Sequence, residues 1–223
     1  RHRKKMQIPT LSYRFKLMKL DQIWLPFSLW ALFAIVGIIT REQDKVFDLT
    51  RICLSVLLPL ITGIRSAYAL LDDPTLELKF AAPVSTNRLL LERLGTIIFS
   101  QMVLALAFEG YAFLMHTDLS PFGNFWQLQL VWLVPCFATM TLGSFVAIAG
   151  AAPISGAVTI GLLWLVQVIF HGFFADNIIT RYFFWFMGGR TAMDPVLPWN
   201  QASLVALSIV CLAAALQLLH RQE

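Results

Sequence analysis

Glu109, His171 and Arg65 stand out because each falls inside a long apolar run. An ionisable side chain in hydrocarbon costs roughly 2.5–3.5 kcal/mol on insertion scales, so such a group either reaches water or serves a pathway. Arg65 lies about seven residues from one end of its run, ~10 Å deep at the rise of a helix, where a guanidinium can snorkel to the headgroups. Glu109 is ~22 Å from the same surface, beyond the reach of a short carboxylate, and His171 falls at a similar depth. Two readings of this pair stay open. Glu109 and His171 face the bundle interior, close to each other or to a watery vestibule, or Glu109 caps the far end of its helix and sees water. Arg65 is ~12 Å away from Glu109 in depth, too far for a direct ion pair.

Other chemistry finds little footing. The four histidines, His2, His116, His171 and His220, are too dispersed for a ligand set. Cys53, Cys136 and Cys211 show no metal-type spacing and read as small buried hydrophobes, so no metal site is expected. There is no GxSxG elbow, HExxH pair or Asp-rich phosphotransferase pattern, which weighs against an intramembrane enzyme. Without a GxxxxGK[ST] loop the chain is not expected to hydrolyse ATP itself, and no cofactor of its own is expected.

The elements that must position these residues follow from composition. Of 223 residues, 58% are hydrophobic and only 13% are charged, and the mean hydropathy is +0.70. A soluble domain carries about 25% charged residues, so the apolar excess here needs a bilayer rather than one core. Six runs approach the ~20 residues needed to cross hydrocarbon, at 23–40, 51–71, 94–115, 128–149, 156–174 and 200–219. The expected fold is therefore an all-α integral membrane protein of six spans, with a transmembrane domain over 23–223. Pro59 and Pro135 fall inside spans two and four, tolerable where neighbouring helices satisfy the freed carbonyls. Spans four and five are separated only by Gly150–Ser155 around Pro153, which specifies a tight helical hairpin.

Charge sets the expected orientation. Arg1, Arg3, Lys4, Lys5, Arg14, Lys16, Lys19, Lys79, Arg88, Arg93 and Arg221 fall on one side, against Arg41, Lys45, Arg51, Arg181 and Arg190 on the other. The first set is placed in the cytoplasm, with both termini. The basic arm, residues 1–22, is followed by a full span and has no small-residue cleavage site, so no cleavable signal is read there. Within it, Leu11, Phe15 and Met18 recur at helical spacing among basic residues, consistent with an interfacial helix or with a flank that only sets topology. Concentrated beside a span, this charge suits anionic lipid rather than nucleic acid. Residues 175–199, rich in aromatics from Tyr182 to Phe186 and broken by Gly188-Gly189, read as a short amphipathic helix in the opposite interface or as a closure of a pathway mouth.

The loop after span two reads DDPTLELKFAAPVSTNRLLLERL. Asp73 is a good N-cap, Pro74 suits the first helical position and Glu77 lies in the first turn. Pro83 stops this helix after about two turns, and Ser85 or Thr86 can cap a second one that begins near Asn87 and runs into span three. The pattern specifies a rigid helix–turn–helix at the membrane face.

At this loop the sequence resembles the membrane (permease) subunit of a type-2 ATP-binding-cassette (ABC) exporter. The matching residues are Asp73, Thr75, Leu76, Glu77, Leu78, Pro83, Val84 and Ser85, with Pro74 where many relatives have glycine. The six-span pattern extends the likeness over nearly the whole chain. The resemblance implies a coupling helix that docks on a separate ATPase subunit, which carries the ATP and Mg. It also implies a second permease copy or a homologous partner, and the cytoplasmic membrane of a prokaryote as the location. Export of a hydrophobic or amphiphilic substrate is the corresponding expectation. A haem-exporter-type membrane subunit is the alternative, although its usual Glu-Gly-x-Leu-Glu step is replaced here by Asp73-Pro74-Thr75-Leu76-Glu77.

Overall fold

The computed structural model describes residues 43–71, 86–190 and 194–221, with scattered helical positions between 28 and 39. The N-terminal arm, most of the expected first span and the coupling segment from Asp73 to Ser85 lie outside the described residues.

Every regular element described is helical. Helix α1, Gln43–Ile52, passes through a π-helical turn at Cys53–Leu57 directly into α2, Leu58–Leu71. After it come α3 (Thr86–Leu114), α4 (Phe125–Ala149), α5 (Pro153–Ile169), the short α6 (His171–Asp176) and α7 (Leu197–His220). Among the described residues four helices are long and apolar enough to cross a membrane: the continuous α1–α2 rod, α3, α4 and α7. Helix α5 is apolar but has only 17 residues. The run expected to form one span at 156–174 is divided, because the chain leaves the α conformation at Phe170 (φ −101°, ψ 31°). Thr180 Oγ1 then donates back to the carbonyls of Phe173 and Phe174 and closes the short helix that follows.

The outer surface is apolar where a soluble protein would be polar. Phe99, Val103, Phe113, Ile154, Leu162, Ile169, Ile209 and Val210 are all more than half exposed. Surfaces of this kind are stable against lipid chains and costly against water.

Helix α4 is the centre of the bundle, with 72% of its most apolar stretch buried against 28% for α7. It packs on α2, α3, α5 and α7. Its closest neighbours are reached through glycine. A Cβ on Gly143 would overlap the Gly63 carbonyl oxygen of α2, and a Cβ on Gly156 of α5 would overlap the Gly143 carbonyl oxygen. A Cβ on Gly63 would lie 2.8 Å from Ile160 Cγ2 and 3.0 Å from Thr139 Cβ. Three helices therefore meet backbone to backbone, the geometry that small residues permit between helices that gain no hydrophobic free energy by leaving lipid.

Hydroxyls tie the same contact. Thr139 Oγ1 donates to the Pro59 carbonyl across the α2–α4 interface at 2.8 Å, and Thr62 Oγ1 donates to Leu58 O at 2.6 Å within α2. Pro59 has no N–H to offer the preceding turn, and the helix widens into its π turn just before it. Trp164 Nε1 of α5 donates into that turn at Val56 O, 2.9 Å. The neighbouring helices thus supply the hydrogen bonds that an intramembrane proline demands.

The ends are set locally. Asn124 and Gln127 form a reciprocal capping box at the start of α4, with bonds of 2.9 and 2.8 Å. At its other end Ala151 N–H donates to Ile148 O and Ala152 N–H to Ala147 O, with Ala151 at φ 49°. This is a Schellman closure, and Pro153 at the first position of α5 completes the expected hairpin.

If the glycine contact holds the bundle, Gly143→Val will lower stability by about 3 kcal/mol or more, since backbone cannot yield as a side chain does. Gly110→Ala, with nothing within 4 Å of its Cβ position, will be neutral or stabilise by up to about 1 kcal/mol through helix propensity. Thermal unfolding of both variants in one detergent distinguishes the two cases.

Candidate functional site

Glu109 lies on the buried stripe of α3 with Gln101, Leu104, Ala105, Phe108 and Ala112, and is 8% exposed. Across from it, Gln129 occupies the second turn of α4. Gln129 Nε2 donates to both carboxylate oxygens of Glu109, at 2.9 Å to Oε1 and 2.8 Å to Oε2. Gln129 Oε1 in turn accepts from Trp132 Nε1 at 3.0 Å. The indole points its donor at the amide and the amide points its donors at the carboxylate, a directed relay built from two helices. Glu109 stands five residues before the end of α3, and Gln129 four after the start of α4, so the relay lies ~6–8 Å inside that end of the helix pair.

A carboxylate in this position can accept and release a proton, or hold a cationic group brought to it, once one Gln129 bond is exchanged. Trp132 is 2% exposed and fixes the amide through its indole N–H. The charged form of Glu109 is thus hydrogen-bonded but has no ion pair among the described residues.

His171 is elsewhere. It opens α6, is exposed on the surface of the chain, and has no hydrogen bond to Glu109 among the described residues. Of the two readings open for Glu109, neither gives its partner: the carboxylate is buried near the end of its helix and pairs with Gln129, apart from His171. Arg65 reaches across to α3 rather than along its own helix to the surface: Nη1 donates to Ser100 Oγ at 2.8 Å, and Ser100 Oγ donates to Ile97 O. The residues expected to couple to an ATPase, Asp73, Pro74, Thr75, Leu76, Glu77, Leu78, Pro83, Val84 and Ser85, lie outside the described residues. Helix α3 starts at Thr86, where the loop pattern places its second helix.

The aromatic segment is not a surface helix. Two 3₁₀ turns, Thr180–Phe183 and Met187–Gly189, carry it back into the bundle, and Phe184, Trp185, Phe186 and Met187 are all buried. Two amides hold it: Gln167 Oε1 accepts from Trp185 N at 3.0 Å, and Asn200 Nδ2 donates to Arg181 O and Phe184 O at 2.7 and 3.0 Å. Phe184 and Phe186 meet edge to face at 5.4 Å, and Gly188 lets the turn lie against Val131, where a Cβ would come within 3.0 Å of its Cα. The segment is a plug at the end of the bundle nearest the starts of α4 and α7. The residues that a search for charge passes over are amides: Gln101, Gln129, Gln167 and Asn200. An uncharged amide inside an apolar helix is a weaker signal than a carboxylate, yet it makes the same demand for a partner.

No family model, curated protein or solved structure matches the chain.

The relay ranks its own members. Gln129→Leu removes the amide that donates to both oxygens of a buried carboxylate and is expected to cost about 1–3 kcal/mol, whereas Trp132→Phe removes a single indole donor and costs less at the polar contact. Thermal unfolding of Gln129→Leu with and without Glu109→Leu separates the terms: the second substitution should restore part of the loss, because it removes the stranded acceptor.

Proposed function

We propose that the chain is the membrane subunit of an ABC-type exporter, moving a hydrophobic or amphiphilic substrate at the expense of ATP hydrolysed on a separate ATPase chain. The reading carries six spans, with the first in residues 23–40 and the fifth formed around α5. Both termini and the 72–85 segment then face the cytoplasm, and the chain assembles with a second permease copy or a homologue.

The observation that carries the reading is where the resembling segment falls. Residues 72–85 join the end of α2 to the start of α3, two helices of membrane-crossing rods. A rigid element there acts on both at once. Helices α2 and α3 pack on one another, and Arg93 Nη1 donates to the Ala69 carbonyl at 2.9 Å close to the loop. A push at Asp73–Ser85 is thereby delivered to α3, which carries Glu109 at its far end, and to α2, which carries the Gly63 contact with α4. Closure of two ATPase subunits would tilt these helices and alternate access between the two faces. The relay at Glu109 and the aromatic plug lie at the opposite end, where such a path would open.

Glu77 is the residue to reverse. Co-expressed with the ATPase encoded beside it and purified through a tag on this chain, the wild type is expected to bring the ATPase with it. Glu77→Arg is expected to lose it, or to retain it with ATP hydrolysis no longer responsive to the permease. Failure of any ATPase to associate in detergent or in nanodiscs would exclude the proposal.

A further inference from the structure

Gln101 is completely buried, and neither its Nε2 nor its Oε1 has a hydrogen-bond partner among the described residues. It stands 15 residues from the start of α3 and 13 from its end, ~22 and ~20 Å away, so this amide lies at the middle of a membrane-length helix. An amide isolated at that depth is costly, and the hydroxyls of the α2–α4 contact are committed elsewhere. Thr62, Ser66, Thr139 and Ser144 all spend their protons on backbone carbonyls.

The neighbouring position is also incomplete. Ser100, the residue before Gln101, holds Arg65 of α2 through Nη1, while Arg65 Nε is buried without a partner. Arg65 takes part in no ion pair among the described residues. Of the two carboxylates on α3, Glu92 is paired with Arg88 and Glu109 has both oxygens engaged by Gln129. Apolar clusters flank this level on either side: Leu104, Ala105 and Phe108 with Leu58 on one, Leu94 and Ile97 with Ala69 and Met140 on the other. Among the described residues, a guanidinium without an ion pair and an amide with donor and acceptor both unused thus stand at successive residues of α3, Ser100 and Gln101, with apolar clusters on either side along the helix.

We infer that Arg65, Ser100 and Gln101 form an intramembrane site for the oxyanion head of an amphiphile, a phosphate or carboxylate carrying an alkyl chain. The guanidinium Nε and the amide Nε2 donate to the oxyanion, the amide Oε1 takes a hydroxyl of the head, and the chains lie along the two apolar clusters. Because Gln101 is closed off in this conformation, entry requires the helices packed around it to part. The inference does not depend on the ATPase partner.

The test is native mass spectrometry of the full chain, exchanged into neutral detergent with equimolar dioleoylphosphatidylglycerol and dioleoylphosphatidylcholine. Lipid held at the surface by the basic N-terminal arm is the same in every variant, so the readout is the difference between variants. The wild type is expected to retain one phosphatidylglycerol more than Arg65→Gln and than Gln101→Met, with no such difference for phosphatidylcholine. Loss of that lipid on adding excess inorganic phosphate assigns the site to the oxyanion alone; its persistence assigns it to the whole amphiphile. In lipid-free detergent Gln101→Met is expected to melt no lower than wild type, since it removes an amide that has no partner. Equal retention by all three proteins, or a lower melting temperature for Gln101→Met, would overturn the assignment.

Discussion

Three glycines set the distance on which the rest of the bundle depends. Gly63, Gly143 and Gly156 bring α2, α4 and α5 together with carbonyl oxygens where side chains would otherwise stand. In lipid, helices gain little by hiding apolar side chains from one another, so association must come from close packing and from polar contacts. The glycine contact supplies the first and places the second within reach. Thr139 can find the Pro59 carbonyl only because α2 and α4 lie this close. The same proximity brings Trp164 of α5 to the π turn that Pro59 creates. Cys53 and Cys136, both buried, pack in the cluster beside this contact.

Moving outward from that contact, the polar groups fall into three kinds. The hydroxyls of Thr62, Ser66, Thr139, Ser144 and Ser208 donate to backbone carbonyls and are complete. Gln129, Gln167 and Asn200 cross from one element to another: Gln129 orients Glu109, and the other two hold the aromatic plug against the bundle. Gln101, the Nε atoms of Arg65 and Arg181, Asn87 Oδ1 and Thr117 Oγ1 have no partner among the described residues. Stability explains the first two kinds. The third costs stability in the packed state, and groups of that sort are retained where another conformation or a bound group uses them.

Much of the architecture was legible in residue pattern. Apolar run length located α3, α4 and α7 to within a few residues, except that α3 also includes the approach from Thr86, which the caps around Ser85 and Thr86 indicated. The hairpin at Gly150–Ser155 followed from its small residues and Pro153. Other features depended on tertiary contact and had no local signature. The helix ending at Leu71 begins at Gln43, ahead of the apolar run, because a polar first stretch can be helical once Val46 and Thr50 are buried against neighbours. The run around Phe170 was apolar enough to continue, yet the chain turns there to carry its aromatics inward. Glu109 was singled out by its charge, but its partner was not, since nothing in an isolated glutamine says which helix it will face. Residues 175–199, with aromatics from Tyr182 to Phe186, read as an interfacial helix or as a closure of a pathway mouth, and the burial of Phe184–Met187 reflects a fit to Val131, Gln167 and Asn200 that no periodicity encodes.

On the transport reading, these parts form one lever: a push on the 72–85 segment moves α2 against the glycine contact and α3 against the relay. That requires the segment to face the compartment that holds the ATPase, while the loop between α3 and α4 faces away from it. Cysteine placed singly at Ser85 and at Ser120, the latter exposed, reports this directly through a membrane-impermeant maleimide applied to intact cells. The account predicts that Ser120→Cys is labelled from outside and that Ser85→Cys is labelled only after the membrane is opened. Labelling of Ser85→Cys on intact cells would contradict it.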